Sequence, residues 1–243
     1  MNHGTEVDFL AAYDPAEFPP VALTVDLVVF AVAQKRLHVA LVERGAQPFL
    51  GTLALPGGFV GPQENALEAA RRELAEEMGL DLAEHRVFVE QLSTFSDPDR
   101  DPRMRVVSVA HLVLFGGDGA SLPPLQAGTD AAAAHWRPVH AVDTAGLAFD
   151  HGGIVAAGLE RLAGKMEYST LATRLLPAEF TLSALRDVYT AVWQVELPAG
   201  NFTRKMRPFL TSTGGKVQAV GAPASLFRVG SDWISPPWIR PRQ

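Results

Sequence analysis

The most constraining stretch of this 243-residue chain is ENALEAARRELAEEM at residues 64–78. At helical spacing, Leu67, Ala70, Leu74 and Met78 fall within about 80° of one another, a stripe suited to packing on a sheet. Glu73, Glu76 and Glu77 fall within about 100° of one another on a separate face. Three carboxylates on one side of a helix repel one another unless something positive stands among them. Oxygen donors suit magnesium or manganese, and such a metal can bind phosphates, polarise a phosphoryl oxygen or activate water. Gly57 and Gly58, just upstream, allow a tight turn and a close backbone approach to a phosphate-bearing ligand. Taken alone, the same residues also describe a solvated acidic face with Arg71 and Arg72 as local partners.

Composition narrows the alternatives. The apolar fraction is 47%, enough for a real core, and at ~150 residues per domain the length suits one or two domains. Cysteine is absent, which excludes disulfides, a thiol nucleophile and cysteine-ligated metal. The start, MNHGTEVDFL, lacks a basic segment followed by an apolar run, so no secretory signal is expected. No run approaches ~18 uninterrupted apolar residues, so no membrane span is expected; the expectation is a soluble, cytoplasmic protein. Charge is uneven: residues 1–149 hold ten Lys and Arg against twenty Asp and Glu, and residues 150–243 hold eleven against seven. From Leu197 onward there are seven basic residues and only Asp232 opposite them. An acidic half can collect divalent metal and a basic tail can face phosphates, although an imbalance on solvated surfaces gives the same counts.

Strands are expected at Val21–Val32, Leu37–Val42, Arg86–Leu92 and Val106–Phe115, with a shorter one around His135, Trp136 and Arg137. Gly152–Ala163 reads as helix. Without a regular βαβ alternation, the class is α+β rather than a doubly wound sheet. After Pro177 the pattern changes: Thr181 can cap a helix running to Trp193, a second helix spans Asn201–Leu210, and Gly214–Val229 reads as two short strands. Helix, helix, hairpin is the order of a winged helix-turn-helix.

The spacing Gly58, Glu64, Arg72-Glu73-Leu74, Glu76-Glu77, Gly79-Leu80 resembles the Nudix box at every fixed position, with Leu55-Pro56-Gly57-Gly58-Phe59 as the usual lead-in. The resemblance implies a Nudix fold, a mixed sheet between helices, and hydrolysis of nucleoside diphosphates linked to another group. Carried over residue by residue, it makes Glu73, Glu76 and Glu77 ligands of Mg2+ or Mn2+. Arg72 would orient a carboxylate, Glu64 would support the catalytic site, and Gly58 and Gly79 would serve the loop geometry. The loop Thr94–Arg103 and the following Val106–His111 resemble segments of ADP-ribose-related Nudix proteins and of the NrtR regulators. Phe180-Thr181-Leu182, Asn201–Met206, Gly221-Ala222-Pro223-Ala224 and Leu226-Phe227-Arg228 resemble the NrtR tail. The expected organisation is a Nudix domain at 1–165, a linker at 166–178 and a winged helix domain at 179–243.

The expected ligand-binding residues are Arg44, Gly57, Gly58, Phe59 and Arg103. The expected DNA-binding residues are Asn201, Arg204, Lys205, Arg207 and Lys216. Arginine and asparagine suit guanine and adenine edges in a major groove, Lys205 and Arg207 suit phosphates as well, and Lys216 is placed to act as a wing, with Arg240 and Arg242 adding charge. Phe202, Met206 and Phe209 or Leu210 would anchor the second helix. The bland alternative is a basic accessory or dimerisation domain. His111, His135, His140 and His151 lack metal-ligand spacing and read as packed or surface residues. Trp193, Trp233 and Trp238 read as core or interface, and no serine has a GxSxG context. Two functions compete. One, which the NrtR resemblance implies, is a homodimeric regulator, a repressor of NAD metabolism, that binds a double-stranded operator and senses ADP-ribose or a related nucleotide. The other, which the Nudix resemblance implies, is a magnesium-dependent ADP-ribose hydrolase with an accessory tail.

Overall fold

The computed structural model describes residues 5–80, 87–117, 119–126, 131–218 and 223–230. Arg86, Gly221, Ala222, Trp233, Trp238, Arg240 and Arg242 lie outside them. The centre is β1 (Ala22–Ala33), buried along nearly its whole length. It pairs with β2 (Arg36–Arg44) as a hairpin, with the short β4 (Gly57–Phe59) antiparallel, and with β6 (Val106–Phe115) parallel from Ala22↔Val106 to Ala31↔Phe115. β3 (Leu53–Ala54) and β7 (Ala131–Pro138) pair with β2, and β5 (Val87–Phe95) pairs with β6. The sheet is therefore mixed, as expected for α+β.

Because side chains alternate across a strand, β1 feeds two cores. Val25, Leu27, Val29 and Ala31 face α2 (Ala66–Met78). Val28, Phe30 and Val32 face the opposite layer, which contains α3 (His151–Lys165) and the C-terminal half. α2 begins at Asn65, whose side chain accepts the Leu67 and Glu68 amides while Glu68 bonds back to the Asn65 amide, a reciprocal cap. It ends at Gly79, in the left-handed conformation with φ 63°, where glycine carries no Cβ penalty. Its buried stripe is Ala69, Ala70, Leu74 and Met78, whereas Leu67 is 39% exposed. The expected stripe was rotated: the sheet contacts the side of Ala69, and the small alanines let the helix approach closely.

The C-terminal half packs into the same core. Met166, Leu171, Ala172, Leu175 and Leu176, in the stretch read as a linker, are all buried there. α4 (Leu182–Trp193) starts at Thr181, whose hydroxyl accepts the Ala184 amide. α5 (Ala199–Met206) is shorter than expected. Pro208, with no amide to donate, falls where the chain tightens into a 3-10 turn at Arg207–Phe209. β8 (Leu210–Val217) therefore begins before Gly214 and pairs with β9 (Ala224–Val229). α3 and α4 are joined by two bonds: the Trp193 indole donates to Ala163 C=O at 3.1 Å and the Tyr189 hydroxyl to Met166 C=O at 3.2 Å. An unanticipated helix, α1 (Glu6–Ala12), is capped by Thr5 and has no buried residue. Among the described residues no helix is long and apolar enough to cross a membrane.

Candidate functional site

α2 brings its charged residues together around one guanidinium. Arg72 donates to Glu64 at 2.6 and 3.1 Å, to Glu73 at 2.7 Å, to Glu76 at 3.0 Å and to the Phe59 carbonyl at 3.1 Å. Glu64 also accepts the Gly61 amide at 2.8 Å, and the Arg72 bond, with that amide, lowers its pKa. The three glutamates are not equivalent. Glu73 is buried, and burial raises its carboxyl above the ordinary glutamate range despite Arg72. Glu76 lies at the solvent edge. Glu77 accepts the Gly57 amide at 2.9 Å. Gly58 lies close under the helix: a Cβ there would stand 2.1 Å from Glu73 Oε1, so a larger residue has to displace that carboxylate.

Among the described residues no three acidic or histidine side chains converge on one cation position. Arg72 stands between Glu64, Glu73 and Glu76, and Glu77 turns toward the β4 backbone. The donor set still fits a hard divalent cation, because it is all carboxylate oxygen and because the buried Glu73 carries a desolvation cost that a cation would relieve.

Beside this helix lies a cleft of about 320 Å³, lined among others by Arg44, Gly57, Gly58, Phe59, Glu77 and Arg103. The whole expected ligand-binding set is thus gathered from β2, β4 and the loop before β6. Glu64, Arg72, Glu73 and Glu76 stand next to the cleft rather than on its wall. Arg103 is held by Asp101 at 2.8 Å and lies 5.5 Å from the Phe59 ring. Arg44 has its pKa lowered, first by burial and then by the neighbouring Arg103.

The floor of the cleft was not anticipated. Asp26 receives bonds from Arg100 at 2.9 Å and from the Ser108 hydroxyl at 2.6 Å, and faces His151 Nε2 at 3.4 Å. Arg100 also donates to both oxygens of Asp150, at 2.9 and 2.7 Å. The Leu55 amide donates to His151 Nδ1 at 2.8 Å, so the ring proton sits on Nε2, toward Asp26. Burial opposes ionisation of Asp26, but His151, Ser108 and Arg100 outweigh it and hold the carboxyl well below its usual range. His151, read as a packed residue, is buried but belongs to this network. Spacing carries no trace of it, since its members come from β1, the loop before β6 and the start of α3. Phe149, on the cleft wall beside Arg44 and Arg103, was also missed.

In the C-terminal half, Asn201, Arg204, Arg207 and Lys216 are exposed and Lys205 is half-buried. Arg204 donates to Asn201 at 3.1 Å, and Arg207 lies over the Phe227 ring at 4.9 Å. Phe202, Met206 and Leu210 are buried beneath them, as expected of the anchors. Phe202 sits edge-on to Tyr189 of α4. A short helix is thus fixed on two side chains with its polar face turned outward beside a two-stranded wing.

Comparisons agree with this division. The NUDIX domain family matches residues 21–157, and the NrtR DNA-binding winged helix domain matches residues 172–229. The chain is 30% identical to the ADPR responsive transcriptional repressor NtrR of Acinetobacter baylyi, over 94% of this chain and 90% of that one. It superposes on a MutT/nudix family protein from Enterococcus faecalis with a TM-score of 0.75 at 29% identity, covering 93% and 94% of the two chains. It superposes on Shewanella oneidensis NrtR complexed with a 27mer DNA with a TM-score of 0.71 at 30% identity, covering 87% and 97%. The chain therefore belongs to the Nudix family, as an NrtR-type member that carries a DNA-binding winged helix domain after its Nudix domain.

Proposed function

We propose that this chain is a transcriptional repressor of NAD metabolism whose Nudix domain senses ADP-ribose or a related nucleotide, and whose winged helix binds a two-fold operator as a homodimer in the cytoplasm. The observation that carries this reading is the shared core. Sheet residues under the cleft and the helices of the winged half belong to one buried cluster, so a ligand in the cleft and a duplex on α5 act on one packed body. Arg44 and Arg103 offer guanidiniums to a diphosphate, and Phe59 offers a ring at the cleft mouth. Glu73, Glu76 and Glu77 would hold magnesium, which supplies positive charge beside the phosphates. Asn201 and Arg204 face base edges, while Lys205, Arg207 and Lys216 meet phosphates. The test is a duplex titration at several salt concentrations, with and without ADP-ribose. Binding with a steep salt dependence, weakened by ADP-ribose, is the expected result; absence of DNA binding overturns the reading.

A second reading, retained hydrolysis, is favoured by the intact acidic set on α2. Incubation with ADP-ribose and magnesium, followed by chromatography for AMP, tests it with Glu77→Gln as control. Steady turnover lost in the variant supports a hydrolase; ADP-ribose bound and recovered intact leaves a sensor.

A further inference from the structure

Phe149 belongs to no motif, yet it is held in an unusual way. Its φ is 54°, a left-handed conformation that is costly for a bulky side chain. The chain is pinned on both sides of it. The Ala148 amide donates to Leu53 C=O at 2.9 Å, and Asp150 takes two bonds from Arg100. The ring is gripped as well. Arg44 Cζ lies 4.9 Å and Arg103 Cζ 5.8 Å from its centroid, and Phe49 meets it edge-on at 4.7 Å. Two guanidiniums share one phenyl ring. A diphosphate entering the cleft competes for both, and charge-assisted bidentate bonds to phosphate are stronger than contacts to a ring face.

Phe149 also stands at the head of the path to the DNA-binding half. α3 starts two residues later, at His151. Gly152 packs so tightly on the preceding loop that a Cβ would stand 2.0 Å from Thr144 O. The preceding loop and the start of α3 are therefore in direct backbone contact. The far end of α3 holds α4 through the bonds from Trp193 to Ala163 and from Tyr189 to Met166.

We propose that Phe149 is the ligand-sensing residue of the cleft: a nucleoside diphosphate draws Arg44 and Arg103 off its ring, the residue leaves its left-handed conformation, and α3 carries the displacement to α4. This rests on the ligand-responsive reading proposed above. A ligand shifts a conformational equilibrium only through contacts that differ between the two states, and the contacts that differ here are those of Arg44 and Arg103.

The experiment uses the full chain, ADP-ribose, and a duplex selected by the protein from a random pool. DNA affinity is measured with and without saturating ADP-ribose, and ADP-ribose affinity is measured separately by calorimetry. In the wild type, ADP-ribose weakens DNA binding by about 10-fold or more, within the usual range of coupling between sites. In Phe149→Gly, which accepts the backbone conformation and lacks the ring, ADP-ribose still binds but the weakening falls below about 3-fold. Tyr189→Phe, which keeps the ring packing and removes one of the two bonds between the end of α3 and α4, binds DNA normally without ligand and shows a smaller response than the wild type. A responding wild type with both variants responding equally overturns this inference alone. A wild type that binds DNA but ignores ADP-ribose overturns the ligand-responsive reading and this inference with it.

Discussion

Two clusters of charge flank the same glycine turn, and they are built in opposite ways. The α2 cluster, with Arg72 among Glu64, Glu73 and Glu76, spans thirteen residues of sequence, and Arg72 is 35% exposed. The cluster under the cleft joins Asp26, Arg100, Asp150 and His151, with the Arg100 side chain only 4% exposed. The first has excess negative charge and a guanidinium that a metal could replace as counter-ion. The second is more closed: each acid has its cation or hydrogen-bond donor, and Asp26 and Arg100 are shielded from water. The difference separates a site that takes a cation from a brace that holds the walls of a site.

Four measurements sharpen or break that contrast. Arg100→Met should have the largest effect, because it leaves Asp26 and Asp150 without their cation; a loss of about 3–5 kcal/mol in urea unfolding is expected. A loss near zero would mean that the floor is not a closed network. Gly58→Ala pushes a Cβ into Glu73 Oε1 and should cost about 1–3 kcal/mol by overpacking, with a smaller magnesium-dependent rise in Tm than the wild type. Arg72→Met should cost about 1 kcal/mol, since its ion pairs are partly solvated. Excess magnesium should recover much of that loss, whereas it should stabilise Arg100→Met no more than it stabilises the wild type. Equal behaviour of the two variants toward magnesium would erase the distinction.

The smallest effect is in pH dependence, where the signs oppose. Asp26 is held ionised below its ordinary range, so on acidification the unfolded chain takes up that proton first. Stability should fall as pH drops below about 4. Glu73 is shifted upward by burial, so the folded chain takes up its proton first. Acidification from neutrality toward about pH 5 should therefore relieve a cost in the metal-free protein. Glu73→Gln should remove the upper effect and leave the lower one, as read by thermal unfolding across pH.

Much of the fold could be read along the chain. β6 matches its expected bounds, and Thr181 caps α4 as its hydroxyl and position imply. The acidic positions of α2 were legible because helical spacing is a local rule: residues three or four apart meet whatever the rest of the chain does. The anchors Phe202 and Met206 follow the same rule. The inner limit of that rule is visible at Leu67 and Ala69, where periodicity defined a stripe but not which edge of it the sheet would cover. α5 shows another limit: the apolar pattern continued to Leu210, and the proline within it ended the helix.

The sequence by itself determined the class, the two modules, the carboxylate set and the basic helix, because each depends on neighbours within a few residues. Only the tertiary structure decided that Asp26, Arg100 and His151 share a floor, that Arg44 and Arg103 grip one ring, and that α3 carries α4. Those contacts join residues tens of positions apart. They are set by strand order and layer packing, which bring chain-distant groups together without leaving a periodic pattern in the sequence.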